Sequence, residues 1–296
     1  MIVLDPATAD EQGLRLDKFL AVRLADMSRT RLGALIKSGC VFLQGAGATE
    51  VLPKQNVQAG QVWCINEPPV QKSYLTPWQD CPFQILYEDD DILAVNKPHG
   101  MPTHPSLYHF DGTLANGVMH YFKDTPFTFR APSRLDRDTS GVIIIAKNAF
   151  AAASISKQII SGDFKKEYIA LCVGTVSQKI GTINAPIKRE AAGIIKRQIS
   201  EDGKPAVTNY EVLEEKNGFS LVKATPITGR THQIRLHLSH IGIPIFADFL
   251  YGTDVPEERI RLHCKSIEFF HPATNNIQKI TAPLPSDMLL ENMDNI

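Results

Sequence analysis

One stretch, residues 134–146, constrains the fold more than any other part of the chain. Its second half, residues 142–146 (VIIIA), is an unbroken apolar run rich in β-branched side chains, which predicts a fully buried strand. Its first half, residues 134–141 (RLDRDTSG), is polar and ends in turn-forming residues. A polar loop that leads directly into a buried strand is held by rigid structure, and such loops often carry catalytic groups.

Two charged side chains of this loop, Arg134 and Asp136, fall on the same side of an extended segment, because alternate residues share a face. We therefore expect them to lie within reach of one another, with the guanidinium keeping the carboxylate ionised at neutral pH. The spacing alone fits two interpretations equally well. One is an ion pair that only closes the loop, and the other is a catalytic carboxylate with its partner.

The loop resembles the catalytic motif of the RluA type of pseudouridine synthase, in which the Asp of RLD-x-x-TSG is the essential residue. The resemblance implies that Asp136 is catalytic and that Arg134 fills the gap left by a flipped-out nucleotide. The family's usual His before the arginine is Ser133 in this chain, so no role of that histidine carries over. The fold implied is α+β, with a mixed, largely antiparallel sheet flanked by helices.

Further motifs of the same family follow in the family's order. Residues 165–174 alternate as a strand, and their K-x-Y-x-A pattern implies that Tyr168 lies against the target base; without the pattern, this tyrosine would be assigned to packing. The stretch GRTHQIRLH implies that Arg235 pairs with Asp136 and that Arg230 contacts the substrate. Leu262, in the later RLHC stretch, is expected to pack beneath the site.

The GRTHQIRLH stretch is also predicted to be helical, with Ile234 and Leu238 on its apolar stripe. His232 and Arg235 are then expected one turn apart on another face. His232 and His237 lie on diverging faces, and no Cys or Glu supplies a further ligand at zinc spacing, so no metal site is predicted.

A small basic module precedes these motifs. Residues 13–43 hold six Lys/Arg against two Asp, a net charge of +4 in a chain whose formal net charge is -1. Two short helices followed by strands are predicted, the second strand over residues 57–65. The order of residues 13–66 resembles the alpha-L RNA-binding module of ribosomal proteins, which implies that Arg29, Arg31 and Lys37 meet phosphates.

The domain organisation follows from the prolines between this module and the catalytic motifs. Pro68, Pro69 and Pro77 stand among polar residues, which predicts a linker over residues 67–80. The catalytic domain is then expected over residues 81–296.

Composition narrows the location and the partners. The sequence has no uninterrupted apolar run of about 18 residues and an acidic N-terminal flank, so neither a membrane span nor a signal peptide is predicted, and a cytoplasmic monomer is expected. The five cysteines are scattered without a C-x-x-C pair, so disulfides are not expected. The expected partner is RNA, with ribosomal RNA of the large subunit preferred over transfer RNA, and the isomerisation needs no cofactor.

Two alternative functions remain from the residues. A nucleoside or glycoside hydrolase would use Asp136 and Asp138 as an acid/base pair about 5–10 Å apart across the substrate. A non-catalytic RNA-binding or ribosome assembly factor would keep the fold without the reaction, which the intact Asp136, Tyr168 and Arg235 disfavour.

Overall fold

The computed structural model describes residues 2–24, 27, 29–45, 51–66, 75–106, 110–191, 193–252, 255–256 and 258–293. The chain divides into two compact units, Met1–Tyr74 and Leu75–Ile296. Residues 67–74, most of the predicted linker, lie outside the described residues.

The first unit packs two short helices on a small sheet. Its strands are β1 (Ile2–Val3), β2 (Val41–Leu43) and β3 (Trp63–Ile65), and its helices are α1 (Leu16–Arg23) and α2 (Arg29–Lys37). The sheet is antiparallel in the order β1-β3-β2, and the helices bury their apolar residues, such as Phe19 and Leu32, against Trp63. The strand predicted over residues 57–65 is shorter than expected, because a turn occupies Ala59 and Gly60.

The second unit is built on nine paired strands. These are β4 (Gln84–Glu88), β5 (Ile92–Lys97), β6 (Ser140–Ala146), β7 (Lys165–Val173), β8 (Ile180–Asn184), β11 (Val207–Lys216), β12 (Phe219–Pro226), β13 (Leu262–Phe270) and β14 (Ile277–Thr281). A separate antiparallel pair is formed by β9 (Ile187–Arg189) and β10 (Arg197–Ile199). The helices are α3 (Leu114–Tyr121), α4 (Ala149–Ser161) and α5 (Gln233–His240).

The nine-stranded sheet runs β4-β5-β6-β13-β7-β12-β11-β8, with β14 also paired to β13. Among its described ladders, β6 and β13 are parallel and the other pairs are antiparallel, which confirms the predicted α+β fold with a mixed, largely antiparallel sheet. All seven residues of β6 are buried, as its apolar run predicts. Because β6 is central, the polar loop before it opens at the middle of the sheet.

Helix α4 has apolar residues on two faces, and only one of these faces is buried. Its N-cap is Asn148, whose side chain accepts the N–H of Ala151, and it ends at Gly162 in the left-handed conformation. Of its large apolar residues, only Ile155 is buried against the sheet. Phe150 and Ile160 are exposed, because they fall on the opposite face of the helix.

No helix in the described ranges combines the length and the hydropathy that crossing a bilayer would require.

Candidate active site

The polar loop before β6 is anchored on both sides of Asp136. The hydroxyl of Thr103 donates to the Leu135 carbonyl at 2.9 Å, and Leu135 itself is buried. The N–H of Thr139 donates to the Asp136 carbonyl at 3.2 Å and closes a turn. The backbone that carries the Asp136 carboxylate is therefore fixed before any substrate binds.

A buried lysine ties this loop to the turn that follows β5. The Lys97 ammonium donates to three backbone carbonyls, including those of Met101 at 2.8 Å and Arg137 at 3.1 Å. Burial lowers the pKa of Lys97 to about 7, while the carboxylates of Asp138 and Asp136 act in the opposite direction. Three carbonyl acceptors match the three N–H donors of the charged form, so we assign Lys97 as an ammonium that holds the loop.

Steric constraints require a glycine at position 141, at the end of the loop. Gly141 adopts φ +112°, and a Cβ built there would lie 2.2 Å from the backbone oxygen of Cys264 on β13. Beside it, the Ser140 hydroxyl and Nδ1 of His263 are hydrogen-bonded at 2.9 Å, and both side chains are buried. The close parallel approach of β6 and β13 therefore requires glycine, and it brings the loop next to the start of β13.

A pocket of about 320 Å³ opens at this loop. The pocket is lined by every residue of the second unit that the sequence analysis assigned to catalysis or substrate binding. These are Asp136, Arg235, Tyr168, Arg134, Leu262 and Arg230.

Charge in the pocket is uneven. Among the described lining residues, Asp136 is the one carboxylate, and its side-chain oxygens accept no hydrogen bond from a described residue. Four basic side chains share the lining, namely Arg134, Lys166, Arg230 and Arg235, and burial lowers the pKa of Lys166. A pocket lined mostly by basic side chains around a single carboxylate suits a ligand with an anionic backbone.

Arg235 has a different partner from the one predicted. Its Nε and Nη2 each donate at 2.7 Å to one carboxylate oxygen of Asp248, and both side chains are buried. The rings of Phe249 and Tyr251 lie 5.7 and 5.3 Å from its guanidinium carbon. No hydrogen bond or ion pair joins Arg235 to Asp136 in the described structure, so the predicted pairing is wrong.

The electrostatic link between Arg235 and Asp136 persists without contact. Burial would lower the pKa of Arg235, but its hydrogen bonds to Asp248 and the charge of that carboxylate outweigh the burial, and the Asp136 charge contributes in the same direction. The net result is a pKa raised above the ordinary value. Arg235 is thus a permanent cation beside the Asp136 carboxylate.

Tyr168 lies on β7, opposite Cys264 of β13 and Ala224 of β12. Burial, with the nearby Cys264 and the charge of Asp136, raises the pKa of Tyr168 well above its ordinary value. The side chain is therefore a neutral phenol at the pocket wall.

The Gln233 amide shapes the opposite wall. Its Oε1 accepts the Thr228 hydroxyl at 2.7 Å and the Arg230 N–H at 3.0 Å, while its Nε2 donates to the Val207 carbonyl at 2.9 Å. These bonds fix the turn before α5. His232 therefore precedes the helix, with φ +57°, and the prediction that it sits one helical turn from Arg235 is wrong.

Arg134 and Asp136 both line the pocket, but they form no hydrogen bond or ion pair in the described structure. Arg134 is exposed, whereas Asp136 is half-buried. The expected ion pair is therefore wrong, because the Arg134 side chain is exposed to solvent while Asp136 is held in the partly buried loop.

Comparison with known proteins decides the family. A model of the RNA pseudouridylate synthase family matches residues 91–240, just over half of the chain. The chain belongs to the RNA pseudouridylate synthase family. The matched range of this synthase includes Asp136, Tyr168 and Arg235, while Leu262 lies beyond it.

Relatives extend the similarity over nearly the whole synthase. The RNA pseudouridine synthase YlyB of Bacillus subtilis (strain 168), described as uncharacterized, is 37% identical over 97% of this chain and 96% of that protein. The ribosomal large subunit pseudouridine synthase D of Pseudomonas aeruginosa is 35% identical over 94% of this chain and 90% of that protein. The solved structure of human RNA pseudouridylate synthase domain containing 1 aligns with a TM-score of 0.61 and 28% identity, over 74% of this chain and 89% of that one.

Three residues of the synthase site were missed in the sequence. Asp248 was not among the predicted site residues, although a carboxylate among apolar neighbours needs a buried partner. Lys166, two residues before Tyr168 on β7, lines the pocket but was not among the predicted site residues. His232 was placed on a helix, and only the Gln233 bonds show why it is not.

The basic residues of the first unit were predicted to contact RNA. Arg29 donates to Asp17 at 2.8 Å and Arg15 shares the same carboxylate, so part of their charge is neutralised locally. Lys37 is exposed at the last turn of α2. Arg31 belongs to α2, and its side chain lies outside the described residues.

Proposed function

We propose that this synthase converts specific uridines of large-subunit ribosomal RNA to pseudouridine, with Asp136 as the catalytic carboxylate and a flipped-out nucleotide as the substrate. One observation carries the proposal. Asp136 is the single carboxylate among the described lining residues of a pocket walled by Tyr168 and bordered by cations. A carboxylate left free of hydrogen bonds from the described chain is available to the substrate.

The reaction is an isomerisation, so its atoms balance within one nucleotide. The bond from the ribose carbon C1′ to uracil N1 breaks, and a bond from C1′ to C5 forms. C5 loses its proton and N1 gains one, with no redox change and no cofactor. An ionised carboxylate can attack the base, attack the sugar carbon or help to form a glycal intermediate. Each of these three routes needs an oxygen of Asp136.

The neighbouring side chains have separate roles in this proposal. Tyr168 stacks on the base, and Leu262 packs beneath it. Arg235 places a fixed positive charge beside Asp136 without occupying the oxygens of that carboxylate, because its own hydrogen bonds go to Asp248. Arg134, exposed at the pocket rim, fills the gap that the nucleotide leaves when it flips out of its stack.

The choice of RNA rests on the relatives and on the first unit. Several relatives are named ribosomal large subunit pseudouridine synthase D. We assign residues 13–66 as an RNA-binding module, with Lys37 and the cluster around Arg29 contacting phosphates. In this proposal the synthase acts as a cytoplasmic monomer.

A hydrolase that uses Asp136 with Asp138 fits the geometry less well. The Asp138 carboxylate accepts from the neighbouring Arg137 at 2.9 Å and does not line the pocket. An acid/base mechanism requires both carboxylates to face the substrate.

Unmodified large-subunit ribosomal RNA, transcribed in vitro, tests the proposal. We expect pseudouridine at one or a few positions after incubation with the purified protein. Free uracil would instead identify a hydrolase, and binding without any product would identify an assembly factor. Mapping pseudouridines in RNA from cells with and without the gene then gives the position.

A further inference from the structure

His232 lines the pocket and has no role in the proposed reaction. It lies between the turn and α5 with φ +57° and ψ 20°, a conformation that a residue with a Cβ adopts only at a cost. Its ring is largely buried and lines the pocket that holds Asp136. A strained backbone that aims a ring into a reactive pocket calls for a role of that ring.

The hydrogen bonds of Tyr251 determine the tautomer of His232. The Arg197 N–H donates to the Tyr251 hydroxyl at 2.8 Å, so the oxygen already acts as an acceptor. The same hydroxyl lies 2.9 Å from Nδ1 of His232. Because the hydroxyl has one hydrogen and no other described acceptor, it donates to Nδ1, which leaves the ring hydrogen on Nε2.

The ring stays neutral at physiological pH. Burial lowers the pKa of His232 to about 4, although the Asp136 charge acts in the opposite direction. The neutral ring therefore carries one N–H, on Nε2, and this group forms no hydrogen bond with any described residue. An uncharged donor thus remains available in the pocket.

We propose that Nε2–H of His232 donates a hydrogen bond to a carbonyl oxygen of the target uracil. This proposal rests on the proposed function and adds a recognition residue to it. When the bond from C1′ to N1 breaks, negative charge spreads over the uracil oxygens O2 and O4, and a fixed donor stabilises that charge. A donor at O4 would also reject cytosine, whose amino group offers no acceptor there.

The same segment that holds Arg235 also holds His232. Asp248 accepts two hydrogen bonds from the Arg235 guanidinium. Its Oδ1 also accepts the backbone N–H groups of Leu250 at 3.0 Å and Tyr251 at 3.2 Å. The Tyr251 ring then stands edge-on to His232, with centroids 5.7 Å apart. One loop therefore orients the cation beside Asp136 and the donor for the base.

The test compares three RNA hairpins that carry uridine, 2-thiouridine or 4-thiouridine, each tritiated at C5, at the mapped target position. Tritium released to water reports the loss of the C5 proton. Sulfur accepts hydrogen bonds poorly, so the wild type should prefer oxygen by about tenfold at the contacted position, the value of one hydrogen bond. His232→Asn tolerates the left-handed backbone but shortens the side chain, and it should reduce this preference to about one.

Tyr251→Phe keeps the ring beside Arg235 but removes the hydroxyl that sets the tautomer of His232. It should therefore weaken the preference for oxygen over sulfur, and it tests the proposal if His232→Asn fails to fold. Tyr121→Phe is the matched control, because its hydroxyl donates to Glu88 at 2.7 Å outside the pocket. Equilibrium binding of the three RNAs gives the same ratio for a variant without turnover. The proposal is overturned if the wild type shows no oxygen preference, or if both pocket variants keep it unchanged. A wild type that releases no tritium from the uridine hairpin would instead contradict the proposed function.

Discussion

Arg235 and Asp248 form a buried two-point ion pair in which each carboxylate oxygen accepts one guanidinium N–H at 2.7 Å. The pair leaves the Asp136 carboxylate without a hydrogen-bond partner among the described residues. The arginine therefore acts on Asp136 through its field, and Asp248 holds the arginine in place.

Asp248→Asn should destabilise the protein strongly, because it leaves the Arg235 charge buried without a counterion. Removing one partner of a buried ion pair costs about 3–5 kcal/mol. Urea unfolding of the full chain gives the change in the free energy of unfolding. Arg259→Lys is the control, since its partner Asp287 is partly exposed and the loss there should be small. If both variants lose the same free energy of unfolding, the buried Arg235–Asp248 pair contributes no more to stability than the partly exposed pair.

Gly141→Ala should reduce both stability and turnover, because the added Cβ meets the Cys264 oxygen and pushes β6 away from β13. Gly162→Ala separates strain from collision. Gly162 also has a positive φ, of +87°, but its Cβ would meet nothing within 4 Å, so it should cost only about 1–2 kcal/mol and leave turnover intact. If Gly141→Ala costs no more than this control, the close approach of the strands does not constrain the site.

The elements that could be predicted are those coded by local patterns. The run at residues 142–146 is apolar on both faces, and it forms the central strand of the sheet. The alternation around Tyr168 likewise predicted a strand in the right place. Each of these signals is contained within about ten residues.

The wrong predictions concern residues whose partners are brought together by the tertiary fold. Nothing near Arg235 in sequence indicates that Asp248 rather than Asp136 receives its guanidinium. The left-handed His232 depends on Gln233 reaching the Val207 carbonyl on β11, a contact between distant segments. The six residues assigned to the site from the motifs line one pocket, but which of them pair with one another is set by packing.

Stability should fall as the pH decreases from about 6.5 to about 4. Burial, reinforced by the charges of Arg259 and Lys265, lowers the pKa of His263 to about 4. Between these values the unfolded state binds the proton and the folded state does not, so acid favours unfolding by about 1.4 kcal/mol per pH unit for each such histidine. His263→Gln should reduce the slope of unfolding free energy against pH. An unchanged slope in this window would contradict the assignment of a buried neutral ring.

Lys37→Gln should weaken RNA binding and flatten its salt dependence, because one phosphate contact is lost. The slope of log affinity against log salt concentration should become less negative by about 0.7–0.9. Lys123→Gln removes the same charge from an exposed position that does not line the pocket, and it should leave the slope unchanged. Identical slopes for both variants and the wild type would remove the RNA-binding role assigned to Lys37.

The most direct test of the account is pseudouridine formation by Asp136→Asn. The variant preserves the size of the side chain but removes the ionised oxygen, so product should be undetectable on a uridine-containing RNA that the wild type modifies. RNA binding should persist, because phosphate contacts and stacking supply the affinity. Asp138→Asn, on the same loop but outside the pocket, should retain activity. Pseudouridine made by the Asp136→Asn variant would contradict the assignment of Asp136 as the catalytic carboxylate.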